Sequence, residues 1–195
     1  MKRKRIFVFL FVLCCAALFP LPTQSHMDGT QRINGTVVSI SGRSAGRSSQ
    51  FSLIINRYTA AGQLRELNEA LGRGGQNELL KTLSKMDAGR IQFGGGVGVP
   101  ANAIIPDQWG DGGTKLTVLY ERYIRFFELR YGTRSQDYPV GYAEIFLDRN
   151  GRGEGTLIPA AKVRIRGENT WEVEDFGVLP ARLMGLRASG HVEVR

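Results

Sequence analysis

Cysteine and histidine are nearly missing from this chain. Both cysteines, Cys14 and Cys15, lie close to the start, and the histidines, His26 and His191, stand far apart. A thiol nucleophile, a thiolate metal site and a multi-histidine site therefore have almost no material to draw on. A Ser-His-Asp triad has at most His191, which sits in an alternating pattern with Val192 and Val194 and reads as a strand position. No apolar run of about 20 residues occurs beyond the opening segment, which excludes a polytopic membrane protein. The composition is 42% hydrophobic and 23% charged over 195 residues. That is too apolar for a disordered chain, and the length suits one domain.

What the start of the chain does contain is an export signal. Lys2, Arg3, Lys4 and Arg5 precede an unbroken apolar stretch over residues 6 to 19, closed by Pro20. A basic start and a short apolar core predict a secretory signal peptide over residues 1–25, with cleavage after Ser25 in Thr23-Gln24-Ser25. A retained signal anchor is the alternative. At about 1.5 Å per residue, a helix of this stretch is too short for a bilayer core of about 30 Å. The segment holds four of the 26 basic residues and none of the 18 acidic ones. The remainder, residues 26–195, is expected to be a single β-rich domain with 22 basic against 18 acidic residues, a net charge of +4. That modest charge gives no reason to expect a nucleic acid partner. Contact with a membrane is expected only through the signal peptide before cleavage.

All 25 glycines fall after the predicted signal, many spaced as turns between short apolar runs, a pattern that favours strands. Residues 33 to 41 and 50 to 58 read as a hairpin, with Phe51, Leu53 and Ile55 sharing one face. Leu64, Leu67 and Leu71 then predict a helix capped by Thr59 and ended by Gly72, Gly74 and Gly75. A second short helix fits residues 76 to 88. Residues 90 to 114 read as strand-like fragments and loop. Residues 115 to 131, five of them aromatic, read as two strands bending near Glu121-Arg122. Strands follow over 140 to 147, 155 to 166, 170 to 176 and 182 to 194. Pairing Arg166 with Thr170 places Ile165 opposite Trp171, Val163 opposite Val173, Arg164 opposite Glu172 and Lys162 opposite Glu174. That register satisfies an apolar and a charged face together. The expected fold is mainly β (α+β): an antiparallel β-sandwich or partly closed barrel with two short inserted helices.

The chemistry is narrowed mainly by elimination. Asp148, Asn150 and Gly153 match three positions of a calcium loop, but Arg152 and Pro159 occupy ligand positions, so a hairpin turn is the better reading. Gly94 and Gly96 lack the third glycine and following helix of a phosphate loop. No metal ligand set and no cofactor are expected. Asp107 and Asp111 remain as a carboxylate pair for sugar hydrolysis, with Trp109 between them as a stacking surface. Arg134-Ser135-Gln136-Asp137-Tyr138-Pro139 reads either as a turn braced by an Arg134–Asp137 pair with Tyr138 packed beneath, or as a binding patch. The candidate binding residues are therefore Trp109, Arg134, Asp137 and Tyr138, and no catalytic residue is assigned.

Gly74-Gly75-Gln76, the 134–139 segment, Gly153-Glu154-Gly155 and Pro180-Ala181-Arg182-Leu183 resemble segments of a family of exported bacterial proteins with no assigned function. The resemblance implies that residues 26 to 195 form one unit, and it implies no activity, ligand or catalytic residue. The expected function is that of an exported, periplasmic or extracellular, non-enzymatic binding module of the cell envelope, taking a small apolar ligand or an envelope protein. A secreted carboxylate-dependent hydrolase acting on a sugar-like substrate and a purely structural envelope component are the alternatives.

Overall fold

The computed structural model describes residues 30–40, 46–122, 137–165, 171–175 and 180–189. These residues form one antiparallel sheet of ten strands, nearly closed into a barrel, with a single helical element. The strands are β1 (Gln31–Val38), β2 (Ser48–Ile55), β3 (Gly89–Phe93), β4 (Val99–Ala101), β5 (Ala103–Trp109), β6 (Gly113–Glu121), β7 (Val140–Leu147), β8 (Arg152–Ile165), β9 (Trp171–Asp175) and β10 (Ala181–Ser189). Their order around the wall is β4-β3-β2-β1-β10-β8-β7-β6-β5, and β9 pairs the far half of β8. Helix α1 (Ala61–Leu83) connects β2 to β3.

The two ends of the sheet, β4 and β5, are separated only by Asn102. One stretch of chain thus bonds first to β3 and then to β6. Asn102 is 6% exposed, and its side chain holds both flanks. Nδ2 donates to the Met86 carbonyl at 3.1 Å, and Oδ1 accepts from the Glu121 N–H at 2.8 Å. The strand prolines fit this layout, because a proline cannot donate to a ladder. Pro100 and Pro106 lie in the two end strands. Pro159 lies where β8 gains one residue against β7, between Ile158 and Ala161. A second bulge falls on β10 between Met184 and Arg187, where Gly185 adopts φ 60°. Bulges of this kind add the twist and bend that closure demands.

Alternation divides the side chains between two cores. Ile33, Phe51, Leu53, Ile55, Ile91 and Ile104 point inward with Leu116, Val118, Ile145 and Leu183, all fully buried. Leu67, Leu71, Leu79 and Leu83 of α1 cover the outer side of the wall, against Leu119, Val140, Tyr142, Ala161 and Val163. Strands β6 to β8 are therefore apolar on both faces where the helix lies.

Strand β7 occupies the expected residues, and the β8–β9 register is the expected one, with Lys162 opposite Glu174 and Arg164 opposite Glu172. The ion pair that forms is the diagonal one, Arg164 Nη2 to Glu174 Oε2 at 2.7 Å. The break expected between two helices lies inside α1 at Gly74 (φ −144°, ψ 18°) and Gly75 (φ 61°, ψ −142°). Two expectations are corrected. Thr59 does not cap the helix. Its hydroxyl accepts from the Ile104 N–H at 2.9 Å and its own N–H donates to the Ile104 carbonyl, so it extends the sheet instead. The first turn is closed by Gln63, whose side chain accepts from Ala60 N–H at 3.0 Å. The helical element also ends at Leu83, short of residue 88, because Ser84 to Ala88 turn back into β3. Expectations for residues 123 to 136 and 190 to 195, including Arg134 and His191, lie outside the described residues.

Candidate functional site

The outer face of β5 to β8 carries a groove where the helix no longer covers it. Trp109 ends β5 and leads into a glycine turn in which Gly110 and Gly112 take positive φ, the conformation that glycine adopts without strain. Trp109 is 51% exposed. Its indole packs on Phe146 of β7, with ring centroids 4.6 Å apart and planes tilted by 55°. Such pairs contribute about 0.5 to 1.5 kcal/mol beyond the area they bury, so the indole is held with one face presented to solvent.

The second wall of the groove is the β7–β8 turn. Asp148 Oδ1 accepts from the N–H of Asn150 at 2.8 Å and of Arg152 at 2.9 Å, and Gly151 takes φ 69°. The residues that resemble a calcium loop thus make a hairpin turn, with the first carboxylate spent on backbone. Arg149 Nε donates to the Asp111 carbonyl and ties the two turns together. The groove encloses about 710 Å³ between Trp109, Phe146, Asp111, Arg149, Asn150 and Glu154. A smaller depression of about 250 Å³ shares Phe146 and Glu154 and continues toward Thr156, Arg182 and Met184. The two form an elongated surface rather than an enclosed chamber.

A charged strip leads from the groove toward the helix. Lys115 Nζ lies 5.8 Å from the Phe146 ring centroid and 2.7 Å from Glu144 Oε1. Tyr142 donates its hydroxyl to the same Glu144 oxygen at 2.7 Å. Burial, and then the hydrogen bond to Glu144 and its charge, push the Tyr142 pKa well above the usual phenol value.

Of the sequence-predicted residues, Trp109 and Asp111 line the groove, and Asp107, Asp137 and Tyr138 do not join it. Tyr138 is buried, and its hydroxyl donates to Glu174 Oε1 at 2.6 Å, while its carbonyl accepts from Arg122 Nε at 3.0 Å. Asp137 is exposed. Asp107 and Asp111 are exposed too, and the Asp107 carboxylate accepts from the Gln108 N–H at 2.8 Å. Neither has the buried, water-excluded setting that makes a carboxyl a good general acid. Among the described residues, no group of three or more His, Cys, Asp or Glu converges as a metal site needs. Phe146 is the site residue that sequence reading missed. It is out of phase with Ile145 and Leu147, but both faces of β7 are apolar, so its position carried no clear signal.

No protein-family model matches the chain, no curated protein is similar to it, and no solved structure matches it.

Proposed function

We propose that the protein is an exported, non-enzymatic binding module of the cell envelope that takes its ligand in the outer groove around Trp109. The observation that carries this reading is the half-exposed indole, held against Phe146 and set between two tied turns. An aromatic platform binds the apolar face of a ring. A rim of carboxylate, guanidinium and carboxamide groups can pair with hydroxyls around that ring. The ligand class that combines both surfaces is a polyhydroxylated ring, so the groove fits an envelope glycan better than a wholly apolar molecule. Its elongated form, continuing past Phe146 toward Arg182, suits a short oligosaccharide. Absence of a buried carboxylate beside Trp109, among the described residues, favours binding over hydrolysis.

The test is a calorimetric titration with soluble N-acetylated amino-sugar oligosaccharides, repeated on Trp109→Ala. Binding that is saturable in the parent and at least about fivefold weaker in the variant, which should still unfold cooperatively at a slightly lower temperature, supports the reading, since one lost stacking contact is worth about 1 to 3 kcal/mol. Equal binding by both proteins, or no binding to any oligosaccharide, refutes it.

A further inference from the structure

The two halves of the barrel wall differ in charge. Strands β1 to β4 and β10 carry four arginines, Arg32, Arg90, Arg182 and Arg187, and no aspartate or glutamate. Strands β5 to β9 carry four basic and seven acidic residues. Helix α1 is balanced at three of each. All four arginines are exposed, and among the described residues none of the four has an ion-pair partner. Arg90 Nη1 makes one long contact, to the Val97 carbonyl at 3.5 Å. Asp87 lies just past the wall, two residues before Gly89, at the end where Arg57 also sits.

The register groups the arginines. Arg32 lies opposite Ile54, and Ile54 opposite Arg90. The next row on the same face runs Arg187, Asn34, Ser52, Gln92. At about 4.8 Å between strands, Arg32 thus lies within about 10 Å of both Arg90 and Arg187, which stand on either side of it about 16 Å apart. Ser52 sits among them. It alternates with the inward Phe51 and Leu53, is 7% exposed, and its hydroxyl has no hydrogen-bond partner. Arginine forks are the donors a phosphate group takes.

Exposed apolar side chains decide what bears the phosphate. Val97, at the tip of the β3–β4 turn, is 82% exposed, and Ile40, two residues past β1, is 42% exposed. Met184 on β10, opposite Thr36, is 47% exposed. The Gly94 N–H bonds the Gln50 carbonyl, and Val38 pairs Ser48, so all three lie toward one end of the wall and the Arg32–Arg90 row toward the other, with the Arg90 guanidinium reaching back to the Val97 carbonyl. A phosphate polymer gives these side chains nothing to enter. A bilayer interface does, with cationic groups at the headgroups and apolar tips just below them.

We propose that the wall β4-β3-β2-β1-β10 docks on an anionic phospholipid surface, with Arg32, Arg90 and Arg187 on headgroup phosphates and Val97 and Ile40 entering the interface. The site is separate from the Trp109 groove, and either can stand without the other. The test is co-sedimentation of the full chain with vesicles of phosphatidylglycerol and phosphatidylcholine, and with phosphatidylcholine alone. Any contribution of the N-terminal segment is common to all variants, so ratios between variants report the wall. The triple variant R32Q/R90Q/R187Q should lose roughly two orders of magnitude of partitioning onto anionic vesicles at low salt, about five-fold per arginine. The corresponding lysine triple variant should retain most of it, and Val97→Ser should weaken it several-fold. Melting curves should be unchanged, since the substituted side chains are exposed. Three results would overturn the proposal: equal partitioning of the glutamine variant, no preference for anionic over neutral vesicles, or tight binding of inorganic polyphosphate without any effect of Val97→Ser.

Discussion

Replacing Asn102 by alanine should open the barrel at its seam. The carboxamide satisfies the Met86 carbonyl and the Glu121 N–H from a position that is 6% exposed. Alanine leaves one buried acceptor and one buried donor unpaired, each costing about 1 to 3 kcal/mol. We expect a loss of about 3 kcal/mol, a large fraction of the roughly 5 to 15 kcal/mol typical of a domain. At this chain length that lowers the melting temperature by roughly 6 to 12 °C. Asn102→Asp sharpens the test. One oxygen still accepts from Glu121 N–H, while the other faces the Met86 carbonyl and is favourable only when protonated. Burial and that carbonyl raise the folded-state pKa of the new carboxyl above its unfolded value. The variant should therefore be least impaired at low pH and lose stability as pH rises through the folded pKa. Urea unfolding followed by far-ultraviolet circular dichroism at pH 4 and pH 7 measures both. An alanine variant within about 0.5 kcal/mol of the parent, the scatter expected of a surface site, would refute the seam argument.

Two further outcomes follow from buried groups. Tyr58 donates its hydroxyl to Gln31 Oε1 at 2.9 Å, and burial pushes its pKa up to about 12. The unfolded chain loses this proton near pH 10, so the stability it protects is intact below pH 10 and falls as pH rises toward 12. Burial pushes Tyr120 and Tyr142 the same way, so absorbance at about 295 nm should show at least these three of the six tyrosines still protonated in the native protein above pH 10. All six titrating together at their ordinary value would contradict the packing. At Gly75, φ 61° and ψ −142° are open only to glycine. Gly75→Ala should therefore cost about 1 to 3 kcal/mol. That kink turns the Gln76 carboxamide onto β8, where it bonds both the N–H and the carbonyl of Val163. A double-mutant cycle with Gln76→Ala should return a coupling of about 1 kcal/mol or more, whereas additive losses would mean the kink does not serve Gln76.

The C-terminal hairpins were legible because their information is local. In β8 and β9 one register satisfies an apolar and a charged face at once, so a slip of one residue would fail both. The helix break was legible for the same reason, since adjacent glycines interrupt a leucine stripe. Closure was not. Strand β4 has three residues, β4 and β5 each contain proline, and the residue that joins them is an asparagine whose partners lie 16 and 19 residues away. No local pattern encodes that. The site was half legible. Trp109 stood out on a glycine-rich turn, whereas nothing singled out Phe146. Strand β7 is apolar on both faces, Ala143 and Ile145 inward and Val140 and Tyr142 under the helix, so parity alone does not tell inside from outside.

The filling of the barrel bears on where a ligand can go. Gly141 pairs Tyr120, and a Cβ placed on that glycine would fall 2.0 Å from the Tyr120 ring. Gly35 meets Leu186 in the same way, its Cβ position 2.5 Å from a leucine methyl. Large inward side chains thus occupy the space that the opposing glycines leave, which is how a small barrel reaches close packing. A ligand inside would have to displace Tyr120 or Leu186, both buried in the inner cluster, and would lose the contacts that hold the wall together. The polar groups at the seams are committed as well: Gln76 to Val163, Asn102 to Met86 and Glu121, and Asn68 to the Trp171 indole N–H at 2.7 Å. The outer face of Trp109 and the Ser52 hydroxyl are under no such commitment. The packing of the described residues thus leaves no room for a small apolar ligand in the interior, and the binding proposed above is placed on the outer surface for that reason.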